Sequence, residues 1–253
     1  MTMTTTLTPT TDRAPRPAAD AIARPSFSAR KLTGWLLFGQ FAAMWTAFFI
    51  LMPAINWPAS LDEPASVMLP LLDANFGAVF AGYSSYLTHA LLLIPLAVTL
   101  RHTLRMGPVA GVVAVTLGVM AGFAKALGIV RWLFLMPALA TAYIDPAASQ
   151  ATRDAIAVVF DAFNAYAGGV GELLGVGLFA GLWTVLLASA LLRLGGAARI
   201  IGYAGFVAAA MLFTTLPSVV GIEAPILLTL SGIVWQLWTA ALAVWHLRSL
   251  AAR

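Results

Sequence analysis

The sequence contains no cysteine. Disulfides and thiolate metal sites are therefore excluded, although the absence identifies no compartment. Charge is scarce as well. Asp, Glu, Lys and Arg make up 9% of the chain, against about 25% in a soluble domain. The sequence carries no H-E-x-x-H, no phosphate-binding loop and no G-x-S-x-G nucleophile elbow, so the hydrolase and nucleotide chemistries that need those patterns have no support. It also lacks a basic, aromatic-interleaved soluble domain. The net charge of +4 and pI near 9.9 therefore do not point to nucleic acid. No cofactor is implied.

What is present is apolar surface. Hydrophobic residues make up 61% of the chain and mean hydropathy is +0.91. A globule of this size cannot hide that much apolar surface from water, so much of it must face lipid. The expected partner is the bilayer, and the expected fold is all-α: a polytopic membrane protein of six transmembrane helices, with an extra amphipathic helix before the fourth span.

The spans follow from uncharged runs long enough to cross about 30 Å of hydrocarbon. Thr33 to Trp57 is the first, with Trp35 and Trp57 placed as interfacial anchors. Ala74 to Leu100 is the second, and Val109 to about Leu135 the third. Pro58 to Asp73, and Pro137 with Tyr143 to Ser149, read as connections. From Asp154 to Leu192 the helical pattern would run about 58 Å, too long for one crossing. Gly168, Gly169 and Gly171 offer a break. This predicts an amphipathic helix over Asp154 to Ala167 and a fourth span from Gly168 to Leu192. Ile200 to Val220 is the fifth span. Glu223 to Pro225 turns into the sixth, which ends at His246 and Arg248. Residues 1–29, rich in Thr, Pro and Ala, read as a disordered cytoplasmic tail, and residues 30–250 as a single six-helix domain. The first apolar run is longer than the roughly 7–15 residues of a signal peptide's apolar region.

Orientation follows from the basic residues. Arg13, Arg16, Arg24, Arg30 and Lys31 precede the first span. Arg101 and Arg105, Arg193 and Arg199, and Arg248 and Arg253 fall on the same side. The other side has only Arg153 outside the helices. Eleven against one puts both termini in the cytoplasm of a bacterial-type inner membrane.

Ionisable groups inside a membrane are costly, about 2.5–3.5 kcal/mol each at a helix centre on insertion scales. Each therefore needs a partner or a role. Lys125 lies about 25 Å into the third helix and Arg131 near its outer end. Glu172 lies just inside the outer surface on the fourth. Asp161 and Asn164 would share the face of Glu172 if the helix were unbroken. His89 is near mid-membrane, with Tyr83, Ser84, Ser85, Tyr86 and Thr88 on the same helix. One reading is an outward-facing polar pocket around Lys125, Arg131 and Glu172. The other is an ion pair of Glu172 with Lys125 or Arg131 that only holds two helices in register. His89 is either a hydrogen-bonded packing residue or a proton carrier. No second histidine stands at matching depth for a haem. Three G-x-x-x-G pairs, at Gly118, Gly171 and Gly177, suit close helix packing within the chain. Trp45, Trp183, Trp235 and Trp238 read as core, lipid-facing bulk or cavity lining.

The chain also resembles a bacterial integral membrane family called domain of unknown function 4386. The residues that carry the resemblance are Arg131-Trp132 through Pro137-Ala138-Leu139-Ala140, Phe160 through Asn164-x-Tyr166, Gly171-Glu172-x-x-Gly175 and Gly181-Leu182-Trp183. The turn Arg193 to Arg199 with Ile201-Gly202 and Gly205 fits too. The resemblance covers Leu32 to His246. It implies a compact multi-helix membrane fold with no assigned activity, and makes Arg131, Asn164 and Glu172 structural or binding residues.

Three functions stay open on this reading. The first is a non-enzymatic protein that binds a small polar or amphipathic ligand, or a lipid, from the outer side. The second is a membrane-embedded interaction subunit with no ligand of its own, a reading that leaves oligomerisation open. The third is an enzyme acting on lipid head groups, for which Ser84, Ser85 and His89 are the nearby candidates.

Overall fold

The structure, a computed structural model, describes residues 27–222 and 225–248. Among these residues there is no strand. The elements are α1 (Phe27–Ile55), a 3-10 turn (Ala59–Asp62), α2 (Ala65–Ala74), α3 (Phe76–Thr103), α4 (Pro108–Val130), α5 (Leu135–Ile144) and α6 (Gln150–Gly168). A π-helical segment (Gly169–Ala180) follows, then α7 (Gly181–Leu194), α8 (Gly196–Phe213), a second 3-10 turn (Leu216–Val220) and α9 (Pro225–Arg248). Six helical runs are long and apolar enough to cross a membrane. Exposed Phe38, Phe49, Phe80, Leu91, Phe123, Leu127, Val207 and Leu237 cover their outer surfaces. The chain is a polytopic, all-α membrane protein, as its composition requires.

Each span packs against the next in sequence, and α9 returns to pack on α1. The six spans therefore form a closed ring in which all neighbours are antiparallel. The start of α1 and the end of α9 meet. A Cβ on Gly34 would stand 2.6 Å from Leu247 Cδ2, and the Arg30 guanidinium lies 5.5 Å from the centroid of the Trp245 ring. Both described ends are thus on one face, the terminal face. The half of the ring nearest it is filled by Leu37, Leu93, Leu96, Trp183, Leu187, Trp238 and Leu242. A second core of Leu51, Met68, Leu72, Val79, Met136 and Phe160 lies at the opposite face.

Three differences from the sequence reading lie at that opposite face. First, the stretches read as connections contain α2 and α5, which pack on each other and on α6 as a cap. Met68, Leu69 and Leu72 of α2 and Met136 and Ala140 of α5 are buried. Both helices carry a proline, and that hides their pattern. Pro137 is harmless in the first turn, whereas Pro70 lies inside α2.

Second, the expected chain break at Gly168–Gly171 does not occur. Gly168 and Gly169 both have right-handed helical dihedrals, and helix runs from Gln150 to Leu194. What changes between Gly168 and Gly169 is the hydrogen-bond register, from α to π. The amphipathic helix and the fourth span are therefore one continuous helical run. The reason is on α4. A Cβ on Gly128 would stand 2.9 Å from both Ala167 O and Gly171 Cα, so the two backbones touch. That contact holds the glycines in helix.

Third, Trp57 is buried rather than interfacial. In addition, α1 starts at Phe27, inside the stretch read as a tail. The rest of that tail, residues 1–26, and Glu223 lie outside the described residues. Arg153 secures the cap, with Nε donating to Tyr143 O at 3.1 Å and Nη2 to Asp145 O at 3.3 Å. Ser149 caps α6 by accepting from Thr152 N at 3.1 Å. Asn164 Nδ2 donates to Leu61 O at 3.0 Å, which ties α6 to the first 3-10 turn.

Candidate functional site

The site begins at Lys125, which is 7% exposed. Its side chain crosses the π segment at Gly175, where a Cβ would stand 2.9 Å from Lys125 Cγ. Its Nζ lies 3.0 Å from His89 Nε2. The other ring nitrogen, Nδ1, is 3.1 Å from Gln40 O. A backbone carbonyl only accepts, so Nδ1 carries the proton and Nε2 offers a lone pair to the ammonium. Gln40 Nε2 is a weaker second donor to that lone pair at 3.3 Å. The ammonium also sits between two aromatic rings, 5.9 Å from the Tyr86 centroid and 5.6 Å from that of Trp235. Trp235 is fixed in turn. Its Nε1 donates to Thr184 Oγ1 at 2.9 Å, and that hydroxyl donates to Ala180 O at 2.7 Å.

Lys125, His89, Tyr86 and Trp235 lie along a chamber of about 150 Å³. Glu172 also lines it, and Trp45, Phe48, Trp57, Leu228, Gly232 and Ile233 supply apolar wall. A side pocket of about 50 Å³ connects Lys125 and Glu172 to Arg131. A vestibule of about 820 Å³ lies beyond, between Asp62, Asn164, Gly168, Gly169, Ser218 and Ile226 at the opposite face. Leu61 and Glu172 line all three spaces. The order inward from the face opposite the termini is thus vestibule, Glu172, chamber, Lys125 and His89.

Among the described residues, no ion pair involves Glu172, Lys125 or Arg131. The expected pairing of Glu172 with a basic partner is not made. Lys125 spends its hydrogen bond on His89. Arg131 Nη1 donates to Gly128 O at 3.0 Å, and its guanidinium lies 5.2 Å from the Trp132 centroid. Trp132 stacks on Tyr83 at 5.1 Å and 3°. Arg131 is thus held by backbone and ring, its Nε is buried without a partner, and the Glu172 carboxylate is left to the cavity.

The remaining sequence candidates separate. Asn164 lines the vestibule, whereas Asp161 is exposed and lines none of the three spaces. Asp161 and Glu172 therefore line no common space, and the π segment that begins at Gly169 changes the angle per residue between them. Ser85 donates to Ala43 O at 2.8 Å, and neither Ser84 nor Ser85 lines any of these three spaces. Among the described residues no group of three His, Asp or Glu could hold a metal ion. The three G-x-x-x-G pairs meet segments of the same chain: Gly118 and Gly122 pack on α3, with Trp183 also against Gly118; Gly171 and Gly175 pack on α4; Gly181 packs on Phe213 at the end of α8, and Gly177 on Thr215 and Leu216 just beyond it. Gln40 was missed in the sequence. It is the one amide in the interior of the uncharged first span, Asn56 lying at its end, and a polar group deep in a span signals a hydrogen-bond partner as a charge does.

Fold and site together define a six-span membrane protein with an aromatic, charge-bearing cavity in the half of the ring farther from its termini. The chain belongs to the family described as Domain of unknown function (DUF4386), whose pattern it matches over residues 32–247. No curated protein and no solved structure shows a significant match to it.

Proposed function

We propose that this protein binds a small polar or amphipathic ligand, or a lipid, that reaches it from the face opposite its termini. It would then act as a transporter-like or sensor component. The supporting observation is that vestibule, side pocket and chamber share Leu61 and Glu172 in their walls, with a buried ammonium at the chamber's inner end. A protein that used these charges only to hold helices together would pair them, because an isolated charge in a membrane is expensive. Here acid and base stand apart around open space. We place the protein in a bacterial cytoplasmic membrane with both termini inside, on the eleven-to-one bias of basic residues.

The test is native mass spectrometry of the full chain released from its own membrane, with thermal unfolding against a panel of lipids and small polar metabolites. A retained small molecule, or a compound that raises Tm in the wild type and not in Gly232→Phe, supports the reading. Bare protein that no compound stabilises would favour an interaction subunit without a ligand. An enzyme acting on head groups has less support, because the chamber offers neither serine nor metal cluster.

A further inference from the structure

We propose that the chamber takes a single-acid amphiphile, with its carboxylate on Lys125 Nζ and its apolar chain running out between α1 and α9 toward the bilayer. The proposal rests on the ligand-binding reading above and adds the chemical class of the ligand.

The head group follows from Lys125. An ammonium has three N–H donors and no acceptor. One is taken by His89 Nε2, and no other acceptor is within hydrogen-bond distance among the described residues. Ring faces at 5.6 and 5.9 Å soften the charge without neutralising it. Glu172 does not supply the missing anion, because no hydrogen bond or ion pair joins it to Lys125. The inner end of the chamber is therefore a buried positive site short of an acceptor. A carboxylate meets both needs, charge and lone pairs, at once.

The chain follows from the walls. Beyond Lys125 the lining is Trp45, Phe48, Leu228 and Ile233, which suits methylenes. A cavity of about 150 Å³ accommodates something of benzene's size, so a carboxylate and the first few carbons fill it. The rest of a longer chain must leave. Met44, Trp45 and Phe48 of α1 and Leu228, Gly232 and Ile233 of α9 line the chamber from facing helices, so α1 and α9 are separated there by the chamber. Ile233, which lines the chamber, is 38% exposed. A Cβ on Gly232 would meet nothing within 4 Å. We therefore route the chain out between α1 and α9 at Gly232 and Ile233.

The experiment uses the full chain in neutral-lipid nanodiscs and the tryptophans of the chamber wall as reporters. Brominated dodecanoate, whose bromine quenches indole fluorescence, is titrated in. Saturable quenching that unbrominated dodecanoate competes away is expected, with at least tenfold weaker competition by dodecanol and dodecyltrimethylammonium. Lys125→Met should weaken dodecanoate at least tenfold. If that variant fails to fold, Gly232→Phe replaces it, because its ring enters open space and should remove the quenching without lowering Tm. Equal competition by acid, alcohol and ammonium would overturn the carboxylate assignment and leave the ligand-binding reading intact. Dodecyl phosphate binding tenfold tighter than dodecanoate would transfer the site to a phosphate head group and overturn it too. Quenching that survives Gly232→Phe places the acid elsewhere and defeats the proposal. Absence of saturable quenching does the same, and the wider ligand panel then decides separately whether the chamber binds anything.

Discussion

The carbonyl of Gln40 holds the Nδ1 proton of His89, and that bond turns Nε2 toward Lys125. Replacing His89 by Phe keeps a ring but strands a buried ammonium, at about 1–3 kcal/mol, while Gln40 O keeps its place in the ladder of α1. His89→Phe should therefore unfold at clearly lower temperature in detergent. Lys125→Met alone should cost less, since it removes the charge along with its need. If Lys125 is the main cause of the His89→Phe penalty, the double variant will be more stable than the sum of the singles by about 1–2 kcal/mol. Strict additivity would show the two side chains to be independent. Glu172 behaves oppositely. It has no ion-pair partner, so Glu172→Gln removes an uncompensated charge and should leave Tm unchanged or raised. A fall of more than about 4 °C, roughly 1 kcal/mol for a chain of this size, would mean that the carboxylate is paired after all. The sequence made Lys125, Arg131 and Glu172 visible as neighbours in depth, because charge in an apolar run is conspicuous. It could not show that each basic group makes its one hydrogen bond elsewhere, to an imidazole from α3 in one case and to a backbone carbonyl beside an indole in the other.

Two glycines separate packing from cavity at the level of elements. Gly128 touches backbone on α6 and the π segment, and backbone cannot rotate away. Gly128→Ala should cost about 1–3 kcal/mol through overpacking and spread α4 from the fourth span. Gly232 faces open space on α9, so Gly232→Ala should be neutral or stabilise slightly through helix propensity. Melting curves of the two variants side by side check the pair, and equal losses would contradict the placement of the chamber. The spans were legible because uncharged runs of crossing length have few alternatives. The cap was not, because α2 and α5 are ten residues each, too short for periodicity to emerge and interrupted by Pro70 and Pro137. The π segment was hidden for a different reason. Three glycines in close succession read as a break by propensity, and only the facing glycine on α4 shows why helix persists there.

For the whole molecule, closure of the ring by α9 on α1 brings the two described ends together, and the charge pattern then acquires a direction. Arg30, Lys31, Arg101, Arg105, Arg193, Arg199 and Arg248 all belong to the terminal face, while Asp62, Glu63, Asp73, Asp145, Asp154 and Asp161 belong to the opposite one. Every connection agrees. Basic residues flanking spans are retained on the cytoplasmic side during insertion, and acidic residues contribute little to that choice. The terminal face should therefore be cytoplasmic and the vestibule should open outside. Alkaline phosphatase, which is active only after export, should give background activity when fused after Arg105 or after the C-terminus, and high activity when fused within the loop at Asp145. Because all the connections carry the same bias, moving a single arginine should not invert the protein, whereas stripping Arg101, Arg105, Arg193 and Arg199 together should give mixed orientations. High activity at the C-terminus of the unaltered chain would reverse the topology. It would also turn the vestibule toward the cytoplasm, and any ligand would then be one drawn from inside the cell.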